Sequence, residues 1–117
     1  MTGDMSVIEP TLTPAELRRA LFSSDPRERA AALRRARPDP AAEPAVLVAL
    51  HDDHAEVRLA ATGTLARLPG PRAARALIEA SALDPSPQVR LAAVGALANL
   101  LEARVRQATD PEDKAQA

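Results

Sequence analysis

The 117-residue chain has no cysteine, no tryptophan and no tyrosine, and one phenylalanine, Phe22. Without cysteine there is no disulfide, thiol nucleophile or cysteine-based metal site, a composition that fits a reducing compartment. With so few aromatics the interior must be built from alanine, leucine and valine, and small side chains demand closely packed helices. Glycine is scarce as well. The four glycines, at 3, 63, 70 and 95, make neither a GxGxxG nor a Walker loop, and no GxSxG occurs. Nucleotide-fold and α/β-hydrolase readings fail on that ground. A formal net charge of -1 gives no overall pull toward nucleic acid or anionic membrane. No apolar run approaches the roughly 18 to 20 residues needed to cross a bilayer. The first twelve residues, with Asp4, Glu9 and Pro10, lack the basic start and apolar run of a secretory signal, so a cytoplasmic location is expected.

Proline, by contrast, is abundant at 11 residues, and its placement is informative. Proline suits the first helical turn, where its missing N–H has no intrahelical acceptor to lose. Thr13-Pro14-Ala15-Glu16 has the N-cap hydroxyl, the proline and the glutamate of a capping box, and Asp25-Pro26-Arg27-Glu28 repeats the pattern. Asp39-Pro40, Asp53-His54-Ala55-Glu56, Gly70-Pro71 and Ser86-Pro87 open four more helices, and Leu68-Pro69-Gly70 closes one. The spacing predicts six helices, over about 14–23, 26–37, 41–51, 54–68, 71–83 and 87–107. No segment alternates like a half-buried strand, so the fold class is all-α. Residues 1–12 and 109–117 lack periodic apolar content and are expected to be flexible and disordered, although Val7 and Ile8 could pack over the first helix.

An internal repeat sets the architecture. Residues 57–68 and 89–100 are identical at nine of twelve positions, an offset of 32 residues. A unit of that length holding two helices is the signature of an α-solenoid, in which each hairpin buries its apolar stripe only against its neighbours. Val89, Ala92, Ala93, Ala96, Leu97 and Leu100 form one continuous helical stripe, and Val57, Ala60, Ala61, Thr64, Leu65 and Leu68 trace it one repeat earlier. Both stripes are expected core. The expected domain spans 13–108, with repeats over about 13–38, 39–69 and 70–108.

The runs Asp52-Asp53-His54-Ala55-Glu56-Val57-Arg58 and Asp84-Pro85-Ser86-Pro87-Gln88-Val89-Arg90, each followed by a leucine and paired alanines, resemble HEAT repeats. The closest flavour is the short bacterial type named after phycobilisome lyases. The resemblance covers about 13–107 and is weaker in the first repeat, where Asp25, Arg29, Ala31 and Ala32 are kept but Glu28 replaces valine. A polar outer repeat suits a solenoid end, so the first repeat reads as a cap. The resemblance implies an aspartate at each interhelical turn that caps the second helix and pairs with an arginine of the neighbouring repeat. Asp25, Asp53 and Asp84 stand in step with Arg29, Arg58 and Arg90.

Other chemistry is thinly represented. The only candidate metal cluster is His51-Asp52-Asp53-His54-Ala55-Glu56, which could bring two imidazoles and a carboxylate to one ion. The capping reading is preferred there, and the His-Glu dipeptides of di-iron hydroxylases built on similar repeats are absent, so neither metal nor cofactor is expected. Residues 16–37 are locally basic, with Arg18, Arg19, Arg27, Arg29, Arg34, Arg35 and Arg37 against Glu16, Asp25 and Glu28. A solvated cap explains that excess; an acidic protein partner is the next reading. Nucleic acid is disfavoured because no aromatic side chain is available to stack bases.

The second helices of repeats two and three carry an unusual outer stripe: Leu59, Thr62, Gly63 and Ala66, matched by Leu91, Val94, Gly95 and Ala98. Glycine inside a helix costs about 0.5–1 kcal/mol relative to alanine, so two at equivalent positions suggest that something approaches the backbone. An adjacent helix of the same chain, a partner helix or peptide, and self-association all satisfy that. The resemblance places second helices on the concave, partner-binding side. The expected function is a non-enzymatic scaffold or adaptor that binds a protein through these eight residues. The alternatives are a metal-dependent enzyme or accessory subunit using His51 and His54, and a chromophore-lyase-like accessory factor.

Overall fold

The computed structural model describes residues 10–68 and 70–109; the expectations for residues 1–9, Val7 and Ile8 included, and for 110–117 lie outside them. The described residues form six α-helices: α1 Pro14–Ala20, α2 Pro26–Arg34, α3 Glu43–Ala49, α4 Ala55–Leu65, α5 Arg72–Leu83 and α6 Pro87–Ala108. Each predicted helix is found, with ends that differ by a few residues. No strand occurs among the described residues, only an isolated parallel bridge between Leu12 and Ala36. That bridge ties down part of the segment expected to be flexible. Leu12 N donates to Arg35 O at 2.7 Å, and Leu12 O accepts from Arg37 N at 2.9 Å.

The caps follow the punctuation closely. Thr13 and Glu16 form the reciprocal box, Glu16 N donating to Thr13 Oγ1 at 3.2 Å and Thr13 N to Glu16 Oε1 at 2.9 Å. These bonds, from the Thr13 backbone first, hold the Glu16 carboxyl below its ordinary pKa. Asp25 caps α2 through Arg27 N at 2.8 Å, but Glu28 does not complete a box with it; its carboxylate accepts from Ser23 Oγ instead. The third opening tightens into a short 3-10 turn, Pro40–Ala42, before α3. Pro44 has no N–H to return to residue 40, which accounts for the tighter first turn.

The helices stack in two layers. The even layer runs α2, α4, α6 in continuous close contact, while α1, α3 and α5 form an odd layer in sparser contact. The core lies between them, at Leu17, Leu33, Val46, Val57, Leu65 and Leu77, with alanines 30, 32, 61, 73 and 93 where helices approach most closely. All six stripe positions expected from Val57 to Leu68 are buried, and four of the six in α6, where Ala92 and Leu97 are half-buried. The first repeat departs from its expected phase. Ala31 is exposed, and α2 buries Ala30, Ala32 and Leu33. Glu28, in the place of Val57 and Val89, stays at the surface, so α2 turns a different edge inward.

The α4–α5 turn is built around a buried carboxylate. Glu43, at the start of α3, is buried, with Oε1 3.5 Å from Arg72 Nε and Oε2 without a hydrogen-bond partner. Gly70 covers it with φ +152°, and a Cβ there would collide with the Glu43 carboxylate. Gly70→Ala is therefore expected to destabilise the fold by about 1–3 kcal/mol, measured by urea melts. Unchanged stability would show that the turn adapts freely.

Candidate functional site

Three interhelical turns share one design. Asp25 N donates to Ser23 Oγ at 3.1 Å, His54 N to Asp52 Oδ1 at 2.9 Å and Ser86 N to Asp84 Oδ1 at 2.9 Å. Six residues beyond each of these acceptors an arginine folds back onto its carbonyl: Arg29 onto Ser23 O at 2.8 Å, Arg58 onto Asp52 O at 2.9 Å, Arg90 onto Asp84 O at 2.8 Å. The rest of the guanidinium reaches the next repeat. Arg29 grips Asp52 through Nε at 2.9 Å and Nη2 at 3.0 Å, and Arg58 grips Asp84 at 2.9 and 3.3 Å.

The ladder thus exists, but with different aspartates from those expected. Ser23, Asp52 and Asp84 are the equivalent positions; Asp25 caps α2 and pairs with Arg27 of its own helix, and Asp53 makes no hydrogen bond or ion pair among the described residues. His54 N-caps α4 without a side-chain bond, and Asp52 does the work assigned to Asp53.

Burial of Asp52 and Asp84 pushes their pKa values up, but the arginine hydrogen bonds, a backbone N–H each and the arginine charges outweigh it and hold both below the ordinary aspartate range. Hydrogen bonding to Asp52 likewise raises Arg29. A carboxylate depressed in the folded state contributes stability above its unfolded pKa, about 3.9, and loses it as pH falls through the folded value. Stability should accordingly be insensitive to these two groups from neutral pH to about 5 and fall steeply below about 4. Denaturant melts across that range check it, and Asp84→Asn should flatten the acid limb.

The proposed metal ligands do not converge. Among the described residues no group of three or more histidine and carboxylate side chains is placed to hold a metal ion. His54 Nδ1 lies 3.7 Å from Asp52 Oδ1 and 3.4 Å from Arg29 Nη2, as part of the ladder. His51 lines a cleft of about 500 Å³ between α3 and α5, beside Leu47, Leu50 and Leu83.

The eight outer-stripe residues divide. Thr62 is buried, 1% exposed, its hydroxyl donating to Leu59 O at 2.6 Å; Ala66 is half-buried. Leu59, Gly63, Leu91, Val94, Gly95 and Ala98 are exposed. Close approach of one of the described helices does not explain the glycines, because a Cβ added at Gly63 or Gly95 meets nothing within 4 Å among the described residues.

The groove takes in four of the eight expected residues. Of about 650 Å³, it separates α4 from α6, with Leu59, Thr62, Gly63 and Ala66 on one wall and Ala92, Ala96, Asn99, Ala103 and Arg106 on the other. A second, of about 300 Å³, continues toward α2 past Leu59, Gly63, Arg34 and Arg67. Leu91, Val94, Gly95 and Ala98 line neither. The α6 wall combines Ala92 and Ala96, both read from the sequence as core, with Asn99, Ala103 and Arg106, which carry the same edge outward.

Of the basic cap residues, Arg18, Arg19, Arg27, Arg34 and Arg37 are exposed. Arg35 is half-buried and donates through Nε to Pro10 O at 3.1 Å, and Arg29 is neutralised by Asp52. Arg67 covers the end of α2, donating to Ala36 O at 3.2 Å and to Leu33 O and Arg34 O at 3.4 Å, where the helix C-terminus favours a cation.

Two-helix repeats, two layers and a rung of arginine and aspartate between successive turns define an α-solenoid. A family model for HEAT repeats matches residues 14–98, and the chain belongs to the HEAT-repeat family. Repeats of this kind commonly serve as protein-interaction scaffolds. No curated protein and no solved structure matches the chain. No helix among the described residues is long and apolar enough to cross a membrane.

Proposed function

We propose that the protein is a non-enzymatic interaction module that binds a partner protein along the α2–α4–α6 layer. The observation that carries this is Gly63. It sits inside α4, on the rim shared by both grooves, where none of the described residues needs the space that a Cβ would take. A helical glycine that internal packing does not require is explained by an external segment lying over it. The floor around it is small and apolar, and Arg34, Arg67 and Arg106 are the charged residues along the grooves. That combination suits an amphipathic helix with apolar side chains and acidic flanks.

Gly63→Ala is expected to raise stability by about 0.5–1 kcal/mol, the ordinary helix gain, and Gly95→Ala to do the same. Gly63→Gln, which fills the groove, should keep the fold and weaken partner binding. The test uses wild type, Gly63→Gln and Leu91→Arg as parallel baits in lysate from the native host. A partner lost with Gly63→Gln and kept with Leu91→Arg supports the groove; one indifferent to Gly63→Gln sinks it. Elemental analysis of the purified chain tests the non-enzymatic reading, which stoichiometric metal dependent on His51 and His54 would overturn.

A further inference from the structure

The 32-residue offset makes α4 and α6 two versions of one helix in different positions, so differences in burial report what lies beside each. Thr62 is 1% exposed, and Val94, its equivalent, 53%. Leu59 is 37% exposed and Leu91 74%. Arg58 holds Asp84 in an ion pair, whereas Arg90 folds onto the Asp84 carbonyl in the same way but meets no carboxylate among the described residues. The third repeat covers the outer edge of α4, and nothing described covers the same edge of α6. Leu91, Val94, Ala98, Leu101 and Val105 run along that edge at alternating spacings of three and four, and all are exposed.

We propose that this face of α6 is a stacking surface for an α-helical hairpin of another protein, one that lays an apolar helix face over Val94 and Leu101 and sets an interhelical aspartate against Arg90. The ladder's own continuity specifies this occupant: at two successive turns the arginine receives its carboxylate from the hairpin stacked beyond it. A second copy fits poorly. Head-to-tail stacking would present Ser23, the first repeat's counterpart of Asp52 and Asp84, which offers Arg90 no carboxylate. Antiparallel pairing of two α6 helices about Ala98 would set Arg90 of each copy level with Arg104 and Arg106 of the other. The surface is separate from the α4–α6 groove, so its test does not depend on the groove's partner.

Two experiments test it on the full chain. In the first, a copy of residues 69–100, which supply the hairpin and its aspartate, is inserted between Leu100 and Leu101. The added repeat should dock, giving one cooperative transition about 5 °C or more above that of the parent. Arg90→Met costs the parent its bonds to the Asp84 and Pro85 carbonyls, so each extended chain is compared with its own parent, and the variant pair should show much less of this gain. In the second, p-benzoylphenylalanine at position 94 of the chain in its native host should cross-link to an aspartate-bearing helical hairpin of another protein. Arg90→Met should cut the yield at least about fivefold, the loss expected for one charge-assisted contact. Cross-links only to a second copy, only to residues 110–117 of the same chain, or none at all would overturn the proposal. So would an inserted repeat that melts separately without raising the parent transition.

Discussion

Asp84→Ala is expected to destabilise the protein by about 3 kcal/mol, lowering the melting temperature on the order of 15 °C for a domain of this size. The size of the effect follows from how many things one carboxylate does. It accepts two bonds from Arg58, at 2.9 and 3.3 Å, and the Ser86 N–H that starts α6, at 2.9 Å. Its side chain is 5% exposed and that of Arg58 13%, so the pair is not screened like a surface bridge. Removing the acid leaves a desolvated guanidinium with only the Asp52 carbonyl for a close partner. Asp84→Asn should cost less, because the amide oxygen can still accept from Ser86. Asp53→Ala is the control. Placed one residue from the equivalent Asp52 but outside the ladder, it should change stability by no more than about 0.5 kcal/mol. A large loss at Asp53 together with a small one at Asp84 would show that the ladder is assigned to the wrong residues.

That control also marks where the sequence was legible and where it was not. The repeat offset, the helix openings at Thr13, Asp25, Asp39 and Ser86 and the core stripes of α4 and α6 all depend on local chemistry, and local chemistry can be read along the chain. The choice between Asp52 and Asp53 depends on which carboxylate faces the preceding repeat, a tertiary property. The offset itself held the answer, since 52 and 84 differ by 32 whereas 53 and 84 do not. The groove was half legible for a related reason. A helix in a solenoid has a neighbour on each side, and helical phase separates core from surface but does not say which edge meets the next repeat. Thr62 and Val94 share a phase and differ only in having that neighbour. Glu43 and Gly70 gave no warning, because 27 residues of chain separate them and nothing periodic links them.

The same contrast yields the other large effect: Thr62→Arg should destabilise by about 3–5 kcal/mol or prevent folding, whereas Val94→Arg should stay within about 0.5 kcal/mol of wild type. The two positions are one repeat apart, on helices otherwise nearly identical, so helix propensity and local sequence largely cancel between them. What remains is burial. At 62 the long cation must enter the contact between α4 and α6, where Thr62 bonds its own hydroxyl to Leu59 O and the lining of the adjoining groove holds no carboxylate to receive a newcomer. At 94 it points into solvent from an uncovered edge. Thermal and denaturant melts of the two variants measure the difference directly. Equal tolerance would mean that α6 does not pack on α4 as described, and with that the inner groove would be lost. Equal damage would mean that the outer face of α6 is covered in the purified protein, and a sedimentation measurement on the wild type would then show whether a second copy covers it.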